Sequence, residues 1–127
     1  MIGLTKEAIS PELVLDSLKT GKSGSVVLHV GIVRPSSEGK KVISIEYQAN
    51  SDEAEAELSQ IANEIRAALE IEDIALCRRL GKLDLGGVIL VAAVSAPHRK
   101  EAFDACQHAV EQMRNMASIK KREIFET

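Results

Sequence analysis

The sequence predicts an α+β domain in which a mainly antiparallel sheet carries three packed helices. Three observations lead there. Apolar runs of strand length come in pairs, Ser25–Val33 with Val42–Gln48 and Ile74–Leu80 with Gly87–Val94, each pair split by a turn-rich stretch. Segments with helical apolar spacing stand before, between and after the pairs. The 127 residues are also enough to bury roughly two thirds of the unfolded surface, which makes a core without disulfide or metal staples. Strands joined in adjacent pairs give antiparallel neighbours, and the helices fall on the sheet. One domain over residues 1–127 is expected.

The first helix begins at Ser10-Pro11-Glu12, where a hydroxyl cap, proline at the first helical position and an acid near the positive dipole end coincide. It is expected to run to about Lys19 and to end at Gly21. Ser25–Val33 is β-branched and nearly continuous in apolar residues, which predicts a buried strand. Pro35–Lys41 follows as a polar loop. Val42–Gln48 then alternates, with Ile43, Ile45 and Tyr47 on one side, and is expected to pair with the preceding strand as a long-looped hairpin.

Ser51 is the expected cap of the second helix, whose stripe is Leu58, Ile61, Ile65 and Leu69. Ile74–Leu80 and Gly87–Val94 flank an expected turn over Gly81–Gly86. The run Val88–Val94 has no polar side chain, which predicts a central strand covered on both faces. A third helix follows Pro97, with Phe103, Cys106, Val110 and Met113 on one side. Ser118–Phe125 is expected as a short edge strand.

Composition narrows the function. A net charge of −3 gives no field that attracts nucleic acid or anionic lipid, and three aromatic residues cannot build base-stacking platforms. Neither a signal peptide nor the roughly 18-residue apolar run of a membrane span occurs, so a cytoplasmic location is expected. Cys77 and Cys106 lie in apolar patterns and are expected as buried free thiols. No phosphate-binding glycine loop, nucleophile elbow or zinc motif is present, and His29 within an apolar strand reads as a core histidine.

Cations at the ends of elements remain. Arg34 closes a strand, His98-Arg99 opens the third helix, Arg114 lies near the end of that helix, and Lys120-Lys121-Arg122 follows it. Helix N-termini favour anions, and arginine is a planar fork for phosphate. An anion pocket drawing on several segments is one reading, and a set of solvated surface cations is the other.

The residues Val30-Gly-Ile-Val-Arg34, Ile45-Glu-Tyr47, Arg79-Leu-Gly-Lys-Leu83, Val94-Ser-Ala-Pro-His-Arg99 with Ala102-Phe103, and Ile119-Lys-Lys-Arg-Glu123 occur in one order and spacing. Together they resemble the MoaE family, the large subunit of molybdopterin synthase, over about residues 25–124. The resemblance implies an α/β hammerhead fold and a sulfurtransferase that converts a cyclic pyranopterin monophosphate into the dithiolene molybdopterin. Sulfur would arrive as a thiocarboxylate on the Gly-Gly tail of a small ubiquitin-like subunit. The large subunits would form a homodimer with a small subunit at each end, and no metal or other cofactor is implied.

Carried over by position, the resemblance assigns substrate binding to Ile32, Val33 and Arg34, to His98 and Arg99, and to Arg122 and Glu123. It assigns catalysis to Lys121 and Arg114. Three departures stand out: Pro35-Ser36 where the family has Asn or Asp and His, Arg114 where it has lysine, and Lys120 where it has an aromatic residue, usually Trp. The sequence also ends at Thr127, short of the C-terminal tail of some members. Arginine stays charged and cannot act as an amine base. The departures therefore leave an alternative: a non-catalytic relative that binds a ubiquitin-like tail or a pterin phosphate as scaffold or regulator.

Overall fold

The computed structural model describes residues 1–127. Eight strands and three helices occur in the order β1 (Ile2–Thr5), α1 (Pro11–Asp16), β2 (Ser25–Ile32), β3 (Ser36–Ser37), β4 (Lys40–Ala49), α2 (Ser51–Ala68), β5 (Asp73–Arg79), β6 (Gly81–Asp84), β7 (Val88–Ala96), α3 (Arg99–Arg114) and β8 (Ile119–Phe125). The strands form two sheets. One has the order β1-β5-β7-β2, and in the other β4 lies between β6 and β8 with β3 attached to it. All pairings are antiparallel except β1 with β5. This is the α+β class with three helices that the sequence predicted.

The first sheet carries most of the core. Leu58, Ile61 and Ile65 of α2 and Ala105, Ala109 and Met113 of α3 pack with Ile74, Leu76, Ala92 and Val94. On the opposite face Val14 and Leu18 meet Ala75, Cys77, Val91 and Ala93. β7 is thus covered on both faces, as its unbroken apolar run requires. Cys77 and Cys106 are free and buried. Burial pushes the Cys106 thiol up to about 11 and raises Cys77 as well, so neither is a ready nucleophile. No helix is long and apolar enough to cross a membrane.

Several local expectations are corrected. β2 and β4 do not form a hairpin. β2 pairs with β7 along its whole length, and β4 pairs with β6 and β8. The chain changes sheets after Val33, whose backbone is bonded in both directions to the turn before β7: its N–H donates to the Gly87 carbonyl and its carbonyl accepts from Gly86. The loop expected over Pro35–Lys41 holds a tight hairpin instead, in which Glu38 and Gly39 both have positive φ, the backbone that a two-residue turn with right-handed twist needs. Of the Gly81–Gly86 turn, Gly81–Asp84 is strand β6, lying beside β4.

A register shift between Val42 and Ser44 puts Val42 on the buried side with Ile45 and Tyr47, and leaves Ile43 in solvent. Asn50, not Ser51, caps α2, its Oδ1 accepting the Glu53 N–H at 3.1 Å. Leu69 follows that helix rather than belonging to it. α1 stops at Asp16, short of Lys19, because Asp73 takes the Lys19 N–H and the Ser95 hydroxyl takes the Lys19 carbonyl. Of the side expected for α3, Phe103 alone points into solvent; Cys106, Val110 and Met113 are buried there together with Ala102, Ala105 and Ala109. β1, too short to announce itself, was not foreseen.

Candidate functional site

A cleft of about 320 Å³ opens where the two sheets meet. Its first wall comes from the end of β2, with His29 to Ile32, continued by Arg34, and from Ile89 and Leu90 of β7. Its second wall comes from β4 and β8. Tyr47 lies opposite Lys121, and Ile45 opposite Glu123. Directly opposed residues of an antiparallel pair share a face, so these four side chains enter the cleft together. Met113 and Arg114 at the end of α3 close one side.

Four cations line this space: Arg34, Arg78, Arg114 and Lys121. One carboxylate, Glu123, faces them and is paired with the Lys121 ammonium at 3.2 Å. The second oxygen of Glu123 is buried and has no partner. The balance in the cleft is positive although the whole chain is negative. The position of β8 depends on a third segment. Glu57 of α2 accepts the backbone N–H groups of Ala117 and Ser118, each at 3.0 Å, and the Ser118 hydroxyl. Partial burial would raise the Glu57 carboxyl, but these bonds outweigh it and hold the group below its ordinary range.

Arg78 is the least expected member. It is 4% exposed and has no carboxylate within ion-pair distance. Nη1 donates to the carbonyls of Arg79 and Ile89, both at 3.3 Å, and the guanidinium lies 4.2 Å from the centre of the Tyr47 ring. Burial pulls its pKa below the usual arginine value, with Tyr47 opposing that shift.

The sequence-derived set divides. Ile32, Arg34, Arg114, Lys121 and Glu123 line the cleft together. Val33 does not reach it, since its side chain is buried in the core of the second sheet. Arg122 alternates to the other face of β8, opposite Glu46. His98 and Arg99 are exposed at the start of α3, about 22 Å of helix from Arg114. A single chain therefore does not bring them beside Arg34.

The MoaE protein family matches residues 4–116. This chain belongs to the MoaE family. The molybdopterin synthase catalytic subunit of Bacillus subtilis is 35% identical over 123 residues, covering 97% of this chain and 78% of that protein. The human molybdopterin synthase catalytic subunit is 34% identical over 126 residues, covering 99% of this chain and 67% of its own. Among solved structures, molybdopterin synthase from Staphylococcus aureus superposes with a TM-score of 0.91 at 32% identity, covering 98% of this chain and 91% of that one. The agreement spans both sheets, so the cleft between them belongs to the shared MoaE architecture.

Sequence reasoning missed Arg78 and Tyr47 as parts of this MoaE cleft. A signal was present for Arg78. In Asp73–Arg79, period-two alternation puts it on the face of Ile74 and Leu76, which is core. A cation on the buried face of a central strand needs a reason. For Tyr47 the alternation gave the face, but no sequence pattern placed the first sheet beside it.

Proposed function

We propose that this chain is the sulfur-transferring large subunit of a molybdopterin synthase, acting on a cyclic pyranopterin monophosphate with sulfur from the thiocarboxylated Gly-Gly tail of a small ubiquitin-like subunit. The observation that carries this reading is the cleft between the sheets, with four cations around one carboxylate and a single amine, Lys121. Arg34 and Arg114 at the rim hold the phosphate and the tail carboxylate. The thiocarboxylate sulfur bonds to an oxygen-bearing substrate carbon, whose oxygen departs as water. A water molecule then adds to the tail carbonyl and the carbon–sulfur bond breaks, leaving sulfur on the substrate and a carboxylate on the tail. Fixed cations stabilise the oxyanion of that addition without reorganising. The Lys121 ammonium, held by Glu123, is the proton donor to the departing group. Arg114 contributes charge alone, since a guanidinium does not surrender its proton.

The homodimer belongs to the same proposal. The accessible surface of 7571 Å² exceeds the roughly 6,600 Å² expected of a lone domain of this mass. Val26, Leu28 and Ile32 of edge strand β2 are among the exposed apolar side chains. We place His98 and Arg99 of each chain at the cleft of the second copy, because within one chain they are a helix length away.

The test is single-turnover sulfur transfer from a preformed thiocarboxylated small subunit to the cyclic precursor. Formation of the dithiolene product is the expected result. Tail binding without turnover would instead assign the chain to the non-catalytic reading.

A further inference from the structure

We propose that Arg78 is an oxyanion-binding residue at the floor of the cleft, its Nη2 receiving a phosphate or carboxylate oxygen of the ligand. Three observations carry this. The first is charge without a counter-charge: Arg78 is 4% exposed and makes no ion pair. Buried arginine is rare unless paired, because removing a cation from water costs more than neutral contacts return. The second is orientation. The two backbone carbonyls hold Nη1, and the Tyr47 ring covers the guanidinium face, which fixes the plane of the fork. Nε is buried and has no partner. The third is place, since Arg78 lines the cleft beside Tyr47 and between the two sheets.

The geometry suits an anion better than a purely structural role. Both carbonyl bonds are 3.3 Å, longer than the roughly 2.7–2.9 Å of a well-made charge-assisted bond. A clamp selected for rigidity would satisfy Nε and shorten those bonds. Nε is sealed from the cleft, so an arriving oxyanion meets Nη2, the nitrogen that no backbone carbonyl takes up, and supplies the charge that the protein lacks. The other cations are less available or less enclosed, since Lys121 is paired with Glu123 and Arg34 and Arg114 are exposed. Arg78 is thus the enclosed, unpaired cation of the site, the position at which an oxyanion is most strongly desolvated.

The anion could be a phosphate ester or the carboxylate of a peptide tail. Choosing between these two sources rests on the synthase reading, whereas oxyanion binding does not. Inorganic phosphate and a short peptide ending in Gly-Gly serve as separate probes. Tyr47 is the one tyrosine and there is no tryptophan, so tyrosine emission reports directly on the ring under Arg78. Saturable titration of that emission by one probe is expected. Arg78→Met should weaken that binding by about ten- to hundredfold, the loss of one charge-assisted pair. Arg78→Lys should weaken it by less. Lys6→Met, an exposed lysine outside the cleft, should leave it unchanged. In case Arg78→Met does not fold, the Nε–H resonance of Arg78 in the wild type, identified through its contact with the Tyr47 ring, should shift saturably with the same probe.

Absence of a saturable Nε shift with either probe overturns the proposal, as does equal binding by wild type and Arg78→Met, or an equal loss in Lys6→Met. Sulfur transfer measured alongside separates the two readings. Turnover by a wild type whose binding ignores Arg78 removes this proposal and leaves the synthase. Arg78-dependent binding in a wild type that never turns over removes the synthase and leaves this proposal.

Discussion

Lys121 is the one amine of the cleft, and Glu123 holds it at 3.2 Å. Lys121→Arg keeps the cation and removes the ionisable amine. Single-turnover transfer should fall by about 10²–10⁴-fold, the usual loss when a general acid or base is removed. A variant as fast as the wild type would end the proton-transfer role. Arg114 sits at the rim as a charge, so Arg114→Lys should retain most activity and could raise it, because lysine is the residue expected there from the family resemblance. The same assay reads both variants, and opposite responses are the expected pattern. Arg78 and Lys121 are separated by chemistry as well, since one is enclosed without a counter-charge and the other is paired and half-exposed.

The elements differ in what holds them. β7 needs nothing beyond its own apolar run, which fits the layer between α1 and the other two helices. β8 is an edge strand with Lys120, Lys121 and Arg122 exposed, and it depends on β4 and on Glu57 at its approach. Glu57→Gln keeps the size but weakens the charge-assisted bonds to Ala117 and Ser118. Stability should fall by about 1–2 kcal/mol in urea unfolding, and transfer should slow through the displaced β8. Unchanged stability would show that β4 alone positions the strand. The sheet-crossing segment is the element that sequence reading handled worst. Ser25–Val33 and Val42–Gln48 look like hairpin partners, yet Val33, two residues before Pro35, is already bonded through its backbone to Gly86 and Gly87. The local pairing is satisfied by the two-residue strand β3 instead.

For the molecule as a whole, three carboxylates tie distant segments together. Glu57 joins α2 to the approach to β8, Glu72 accepts from Ser23 and Lys22, and Asp73 accepts from Lys19 and pairs with Arg66. All three are held below their ordinary values of 4.5, 4.5 and 3.8. For Glu72 the Ser23 hydroxyl is the largest cause; for Asp73 burial opposes and the backbone bonds from Lys19 and Ile74 prevail. A carboxyl with a depressed folded value contributes fully above its unfolded value and loses that contribution as pH falls through the folded one. Thermal unfolding temperature should therefore be flat from neutral pH to about 5 and fall steeply below about 4. In a Glu57→Gln, Glu72→Gln, Asp73→Asn triple variant, that acid slope should be shallower. Assembly gives a second test at this scale. Inactive Lys121→Arg and Arg99→Ala chains, mixed and re-paired, should recover about a quarter of wild-type turnover, because half the dimers are mixed and each has one intact cleft. No recovery would remove Arg99 from the cleft of the second copy.

The sequence alone determined the three helices and the five longer strands, though not the short β1, β3 and β6, because periodicity reports burial over runs long enough to show it: Leu58, Ile61 and Ile65 could only be an inward stripe, and Val88–Val94 only a covered strand. It also singled out Arg34, Arg114, Lys121 and Glu123, through charges at element ends and the family resemblance that united them. It could not determine which strands pair across the chain. Hydrogen-bonded ladders are specified by packing between distant segments, so β2 met β7 and β4 met β8 with no local signal. The same physics separated His98 and Arg99 from Arg34, since α3 is a rigid rod whose two ends cannot reach one cleft. It also placed Arg78 under Tyr47, because only the closing of one sheet on the other turned a cation on a core-facing strand into the floor of a site.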